Sequence, residues 1–136
     1  YLLNQNKSSN YCRVITFHIV GWLLAQGGVW TRSAVQLLNN VHDGIFDKDI
    51  RRAIVLAGQI TDCNAAFFDA ANNFKGCIVG LHEVLRRQGL FEGLRTLNSD
   101  EKLSPRQKKE IDRVYSAYPD LNDDSFVAEN LHRWLA

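Results

Sequence analysis

The sequence predicts a mainly α-helical protein from residue 30 onward, preceded by one apolar run that favours a β-strand. Three observations support this prediction. Apolar side chains recur at three- and four-residue spacing after residue 30, and glycine or proline stands where helices are expected to end. The run VITFHIV (residues 14–20) is β-branched and aromatic, which favours a buried strand. A helix over residues 14–20 is the alternative, because periodicity alone does not distinguish strand from helix in a short apolar run.

Two helices are predicted after the paired glycines Gly27-Gly28, which break the preceding segment. We predict that Thr31 caps the first helix and that Gly44 takes a left-handed conformation after its end. The second helix is predicted to open at Asp47 and to be the longest. The apolar side of the first helix is predicted to carry Ala34, Val35, Leu38 and Val41. That of the second helix is predicted to carry Ile50, Ala53, Ile54, Ala57, Ile60, Asn64 and Phe67.

A third helix is predicted from about Cys77 to Gln88, after the polar connection DAANNFKG (residues 69–76). The pair Gly89-Leu90 follows it. Glycine tolerates positive φ and the leucine supplies an apolar contact back onto the helix, so the pair predicts a Schellman-type ending.

The last two helices have clearer start signals. Ser104, Pro105 and Gln107 give the pattern of a capping box with proline in the first turn. Pro119 is predicted to prevent continuation of that helix, and Asn122 or Asp123 to start the final one. The apolar face of the first of these helices is predicted to carry Ile111, Val114, Tyr115 and Tyr118. That of the final helix is predicted to carry Val127, Leu131, Trp134 and Leu135.

The composition excludes several classes of protein. The chain has 136 residues, of which 46% are hydrophobic and 23% charged, so it is neither wholly disordered nor a low-complexity filament. Its net charge of +1 gives no general electrostatic case for nucleic acid or an anionic membrane as partner. The longest apolar stretch, residues 14–25, is shorter than the roughly 20 residues that cross a bilayer. Tyr1 comes first and methionine does not occur, so we expect a chain that is processed or part of something longer.

The cysteines and the other reactive side chains predict no chemistry. Cys12, Cys63 and Cys77 are too few and too far apart for a disulfide framework, so we expect reduced thiols in a cytoplasmic protein. Cys63 is expected to be a buried apolar residue. Cys77 is expected near a helix start, where the dipole favours a thiolate, but without a general base.

We predict no catalytic residue, no cofactor-binding residue and no metal ligand. His82-Glu83 lacks the second histidine of a zinc-protease motif, since Arg86 stands in its place. Among the lysines, only Lys75 beside Phe74 approaches the desolvated setting that a Schiff base needs. The other histidines are expected to be structural or surface residues. The basic groups Arg51-Arg52, Arg86-Arg87 and Arg106-Lys108-Lys109 are expected to be solvated helix faces, because Asp49, Glu83, Glu110 and Asp112 interleave with them.

Three segments in the middle of the chain also carry a family resemblance. They are GIFDKDIRRA (residues 44–53), NAAFF (64–68) and RRQGL (86–90), followed by Leu103-Ser104-Pro105 before a helix. In their order and spacing, over roughly residues 28–118, they resemble the C-terminal region of the dihydrodipicolinate synthase and N-acetylneuraminate lyase family.

This resemblance implies a TIM-barrel enzyme that forms a Schiff base between lysine and pyruvate or a related 2-oxo acid. Such a barrel takes about 250 residues. The chain would then be the last βα portion of a (β/α)₈ barrel (residues 1–44) plus a C-terminal helical subdomain (45–136). The catalytic lysine and tyrosine of the family would lie upstream and have no counterpart here. The implied partners are the remainder of the barrel or other subunits, and a homo-oligomer is one alternative. The implied substrate of the parent enzyme is a 2-oxo acid.

A second interpretation is a stand-alone helical protein-interaction domain without enzymatic activity. It rests on the amphipathic helices after residue 30 and on the lack of a catalytic set. Under the lyase interpretation, residues 14–20 and the neighbourhood of Trp22, Val29 and Trp30 would form an uncovered surface that other subunits or the barrel must bury.

Overall fold

The computed structural model describes residues 26–136, and within them the chain is helical with no strand. The prediction of a mainly helical protein is confirmed for these residues. The predicted strand at residues 14–20, together with Cys12, His18 and Trp22, lies outside the described residues. The α-helices are α1 (Thr31–His42), α2 (Ile50–Phe67), α3 (Cys77–Arg87), α4 (Gln107–Ala117) and α5 (Asp124–Trp134), and short 3₁₀ helices cover Gln26–Gly28, Ala70–Asn72 and Pro119–Leu121.

The predicted helix ends are confirmed at two glycines. Gly44 has φ +66° and Gly89 has φ +79°, the left-handed conformation in which a Cβ atom is strained. After α3, the Gly89 N–H donates to the Arg86 carbonyl at 3.1 Å and the Leu90 N–H to the Leu85 carbonyl at 3.0 Å. These two bonds are the Schellman pair, so they satisfy carbonyls that the helix end would otherwise leave unpaired.

Helix α1 begins at the predicted place but with a different cap. Thr31 is the first helical residue, and its hydroxyl donates to the Gly27 carbonyl at 2.7 Å, so the prediction that Thr31 caps α1 is wrong. The backbone N–H groups of Arg32 and Ser33 instead donate to the Asp123 carboxylate at 2.7 and 3.0 Å. A residue 90 positions away in sequence therefore does the work of a local cap.

Helix α2 begins three residues later than predicted. Asp47 lies in the preceding turn, where its N–H donates to the Gly44 carbonyl at 3.1 Å. The cap is Asp49, whose carboxylate accepts from the Arg52 N–H at 3.0 Å, and the helix starts at Ile50. Both aspartates fit a helix start, and Asp49 is the one whose carboxylate meets an N–H of the first turn.

The capping box predicted before α4 is half formed. The Gln107 side-chain oxygen accepts from the Ser104 N–H at 3.1 Å, as a capping box requires. The Ser104 hydroxyl donates to the Asp69 carboxylate instead of capping the helix. Arg106 takes a left-handed φ of 74° and the helix begins at Gln107, so the prediction that Pro105 lies in the first turn is wrong.

The core is centred on Trp30, whose side chain is only 1% exposed. Its ring meets Phe67 edge-on with centroids 4.8 Å apart and Tyr115 at 5.3 Å. The prediction that Val29 and Trp30 belong to an uncovered surface is wrong, because α2, α3 and α4 enclose both. The predicted apolar face of α4 is confirmed by Ile111. The remaining buried members of the core are Cys63, Ala66, Val84 and Val114.

The core joins residues from both sides of the proposed boundary between residues 44 and 45, and the division into two segments stays a prediction.

Candidate functional site

A groove of about 780 Å³ lies between α1, the first half of α2 and the segment from residue 120 to residue 126. We call its apolar lining side chains its floor and its guanidinium, carboxylate and amide groups its rim. The apolar lining residues are Leu37, Val55, Leu56, Ile60, Leu121 and Phe126.

The first half of α2 exposes three apolar side chains, of which Val55 lines the groove. Ile54 is 67% exposed, and Val55 and Ile50 are each 55% exposed. In its first half, the predicted apolar side of α2 is therefore not covered by the described residues. Helices α3 and α4 pack only against the second half of α2, where Cys63 and Phe67 are fully buried.

Three arginines flank the groove from two helices. Arg32 on α1 lies over the Phe126 ring, with its guanidinium carbon 4.7 Å from the ring centroid. Arg51 and Arg52 lie on the first turn of α2 and are exposed. Within residues 26–136 no carboxylate lies within ion-pair distance of either. The rim is therefore a place where positive charge faces solvent next to apolar surface.

The acidic residues of the groove are mostly committed to the fold. The Asp123 carboxylate is buried and accepts from two N–H groups and the hydroxyl of Ser33. The Asp49 carboxylate caps α2 through the Arg52 N–H. Asp120 is exposed and makes no such bond.

Asp62, which stands beside Cys63 in the sequence, makes an ion pair between α2 and α4. Arg113 donates two hydrogen bonds to the Asp62 carboxylate at 2.7 and 2.8 Å, and the Tyr118 hydroxyl donates a third at 2.7 Å. The Arg113 guanidinium lowers the pKa of Asp62 to about 2 against the opposing effect of burial. Burial raises the pKa of Cys63 to about 12, so its thiol stays protonated, and the prediction of a buried apolar cysteine is confirmed.

Glu83 is buried rather than solvated, which corrects the prediction of an exposed charged face. It is 2% exposed, and its carboxylate accepts from Arg86 at 2.8 and 3.0 Å and from Arg87 at 3.0 Å. The hydrogen bond from Arg86 holds the pKa of Glu83 below its usual value. Arg87 also donates to Asp112 at 2.6 Å and lies over the Tyr115 ring, so this network ties α3 to α4.

The remaining residues that the sequence singled out do not form a site. Cys77 is the first residue of α3, as predicted, but burial raises the pKa of its thiol and removes the expected thiolate. His82 packs edge-on against Phe91 with ring centroids 5.0 Å apart. Lys75 is exposed rather than desolvated. No three His, Cys, Asp or Glu side chains within residues 26–136 are grouped to hold a metal ion.

The chain matches no protein-family model, no curated protein and no solved structure. The resemblance to the dihydrodipicolinate synthase family therefore rests on the order of its segments alone and stays a prediction. Among the described helices, none is both long and apolar enough to span a membrane.

Sequence reasoning missed the groove and the residues that build it. Arg51 and Arg52 were predicted to be solvated, which is confirmed, but their position beside an apolar floor depends on how α1, α2 and residues 120–126 pack together. The capping role of Asp123 has no local sequence signal either, since its acceptor sites meet N–H groups 90 residues away. The one signal in the sequence was the apolar stripe of α2, because it extends beyond the half of α2 against which α3 and α4 pack.

Proposed function

We propose that this chain carries a helical protein-interaction domain without enzymatic activity of its own, which binds an amphipathic helix of a partner protein in the groove beside α2. The single observation behind this proposal is the exposure of Val55 on the apolar floor of the groove. Helix-in-groove recognition uses this combination of an open apolar groove and a polar rim.

Three reactive side chains, Asp62, Glu83 and Cys63, are engaged in structure, which supports an interaction domain over a catalytic one. Asp62 and Glu83 are held as carboxylates by arginines, and Cys63 is held as a neutral thiol. Covering an exposed apolar side chain of the groove such as Val55 with a partner would contribute about 1.5 to 3 kcal/mol if the side chain were fully removed from water. Such a gain is a sound basis for association once the entropy of docking is paid.

The test uses a fluorescent synthetic helix of about 18 residues with leucines on one face and glutamines elsewhere. We expect fluorescence anisotropy to show saturable binding to the full chain. Val55→Asp should weaken that binding about tenfold, because it places a charge on the floor of the groove. Ile78→Asp is the matched control, since Ile78 is also exposed but lies on α3. Equal binding by both variants would contradict the location, and no binding up to about 1 mM would contradict the function.

A second candidate is the C-terminal part of a dihydrodipicolinate synthase-like lyase, in the (β/α)₈ barrel arrangement that the resemblance implies. The exposed face of α2 also supports this candidate, because helices that lean against a barrel present such a face. Its partners would be the remaining barrel or other subunits in a cytoplasmic enzyme, a homo-oligomer included, with a 2-oxo acid as the substrate of the parent enzyme.

Borohydride trapping separates the two candidates. If a longer protein that contains this chain is a Schiff-base lyase, pyruvate and sodium borohydride should leave a reduced adduct on one lysine outside this chain, detected by mass spectrometry. A folded protein of that kind without an adduct would contradict the lyase candidate.

A further inference from the structure

We draw no further inference here: the strongest candidate, the groove between α1, the first half of α2 and residues 120–126, carries three carboxylates as well as three guanidinium groups on its rim, and nothing within residues 26–136 shows what covers it.

Discussion

The two halves of α2 differ although their sequences have the same apolar periodicity. In the second half, Cys63 and Phe67 are fully buried against α3 and α4. In the first half, Ile54 is 67% exposed, and Val55, which lines the groove, is 55% exposed. The hydrophobic pattern of a helix thus defines which of its faces is apolar, whereas the neighbouring elements decide whether that face is covered.

Polar contacts mark the closed half as well. The Gln107 side chain donates to the Gly76 carbonyl at 2.9 Å and to the Phe67 carbonyl at 3.3 Å, which satisfies the end of α2. Asp69 accepts from the Gly76 N–H at 2.9 Å and also from the Ser104 hydroxyl. The turn after α2 is therefore joined to the segment before α4. Among residues 26–136, the contact that secures the start of α2 is the cap from Asp49, and we expect this half to tolerate changes that the second half does not.

Gly80→Ala should have the largest effect of the substitutions below. A Cβ atom at this position would lie 2.1 Å from the Phe67 carbonyl oxygen, so α3 would have to move away from the end of α2. We expect a loss of at least about 3 kcal/mol in the free energy of unfolding, measured by urea denaturation. Gly58→Ala is the control on α2, because nothing lies within 4 Å of its Cβ position. The control should gain about 0.5 to 1 kcal/mol. Similar values for both would refute the close contact.

Asp123→Ala should lower the free energy of unfolding by about 2 kcal/mol, because it leaves two N–H groups at the start of α1 without their acceptor. The amide protons of Arg32 and Ser33 should then exchange faster with solvent, as measured by NMR. Asp120→Ala, at an exposed position three residues earlier, should change neither quantity. Unchanged exchange in Asp123→Ala would show that α1 does not depend on this distant cap.

Asp62→Asn should lower the free energy of unfolding by about 1 kcal/mol at pH 7. The effect is this small because solvent reaches the ion pair and screens it. The pKa of Asp62 is lowered to about 2 in the folded chain, below the value of about 4 expected when unfolded. Its contribution is therefore fully present above pH 4 and is lost as the pH falls towards 2. Unfolding at several pH values should show the two proteins converging over this interval. A constant difference would argue against the ion pair, and Asp100→Asn serves as the exposed control.

Local signals in the sequence predicted most of the helix ends, and long-range contacts explain the errors. Gly89 and Pro119 act on their neighbours, so their roles were predictable from spacing. The cap from Asp123 and the burial of Glu83 depend on elements far apart in sequence. Trp30 was placed on an uncovered surface for the same reason, since its partners Phe67 and Tyr115 follow much later in the chain.

The most direct test of the difference between the two halves is a pair of isoleucine truncations measured by urea denaturation. Ile111, fully buried on α4 against the second half of α2, should cost about 3 kcal/mol when changed to alanine. Ile54→Ala, on the exposed face, should change the free energy of unfolding by less than about 0.5 kcal/mol. Similar costs for the two substitutions would contradict the account, because they would mean that the first half of α2 is already covered in the free protein.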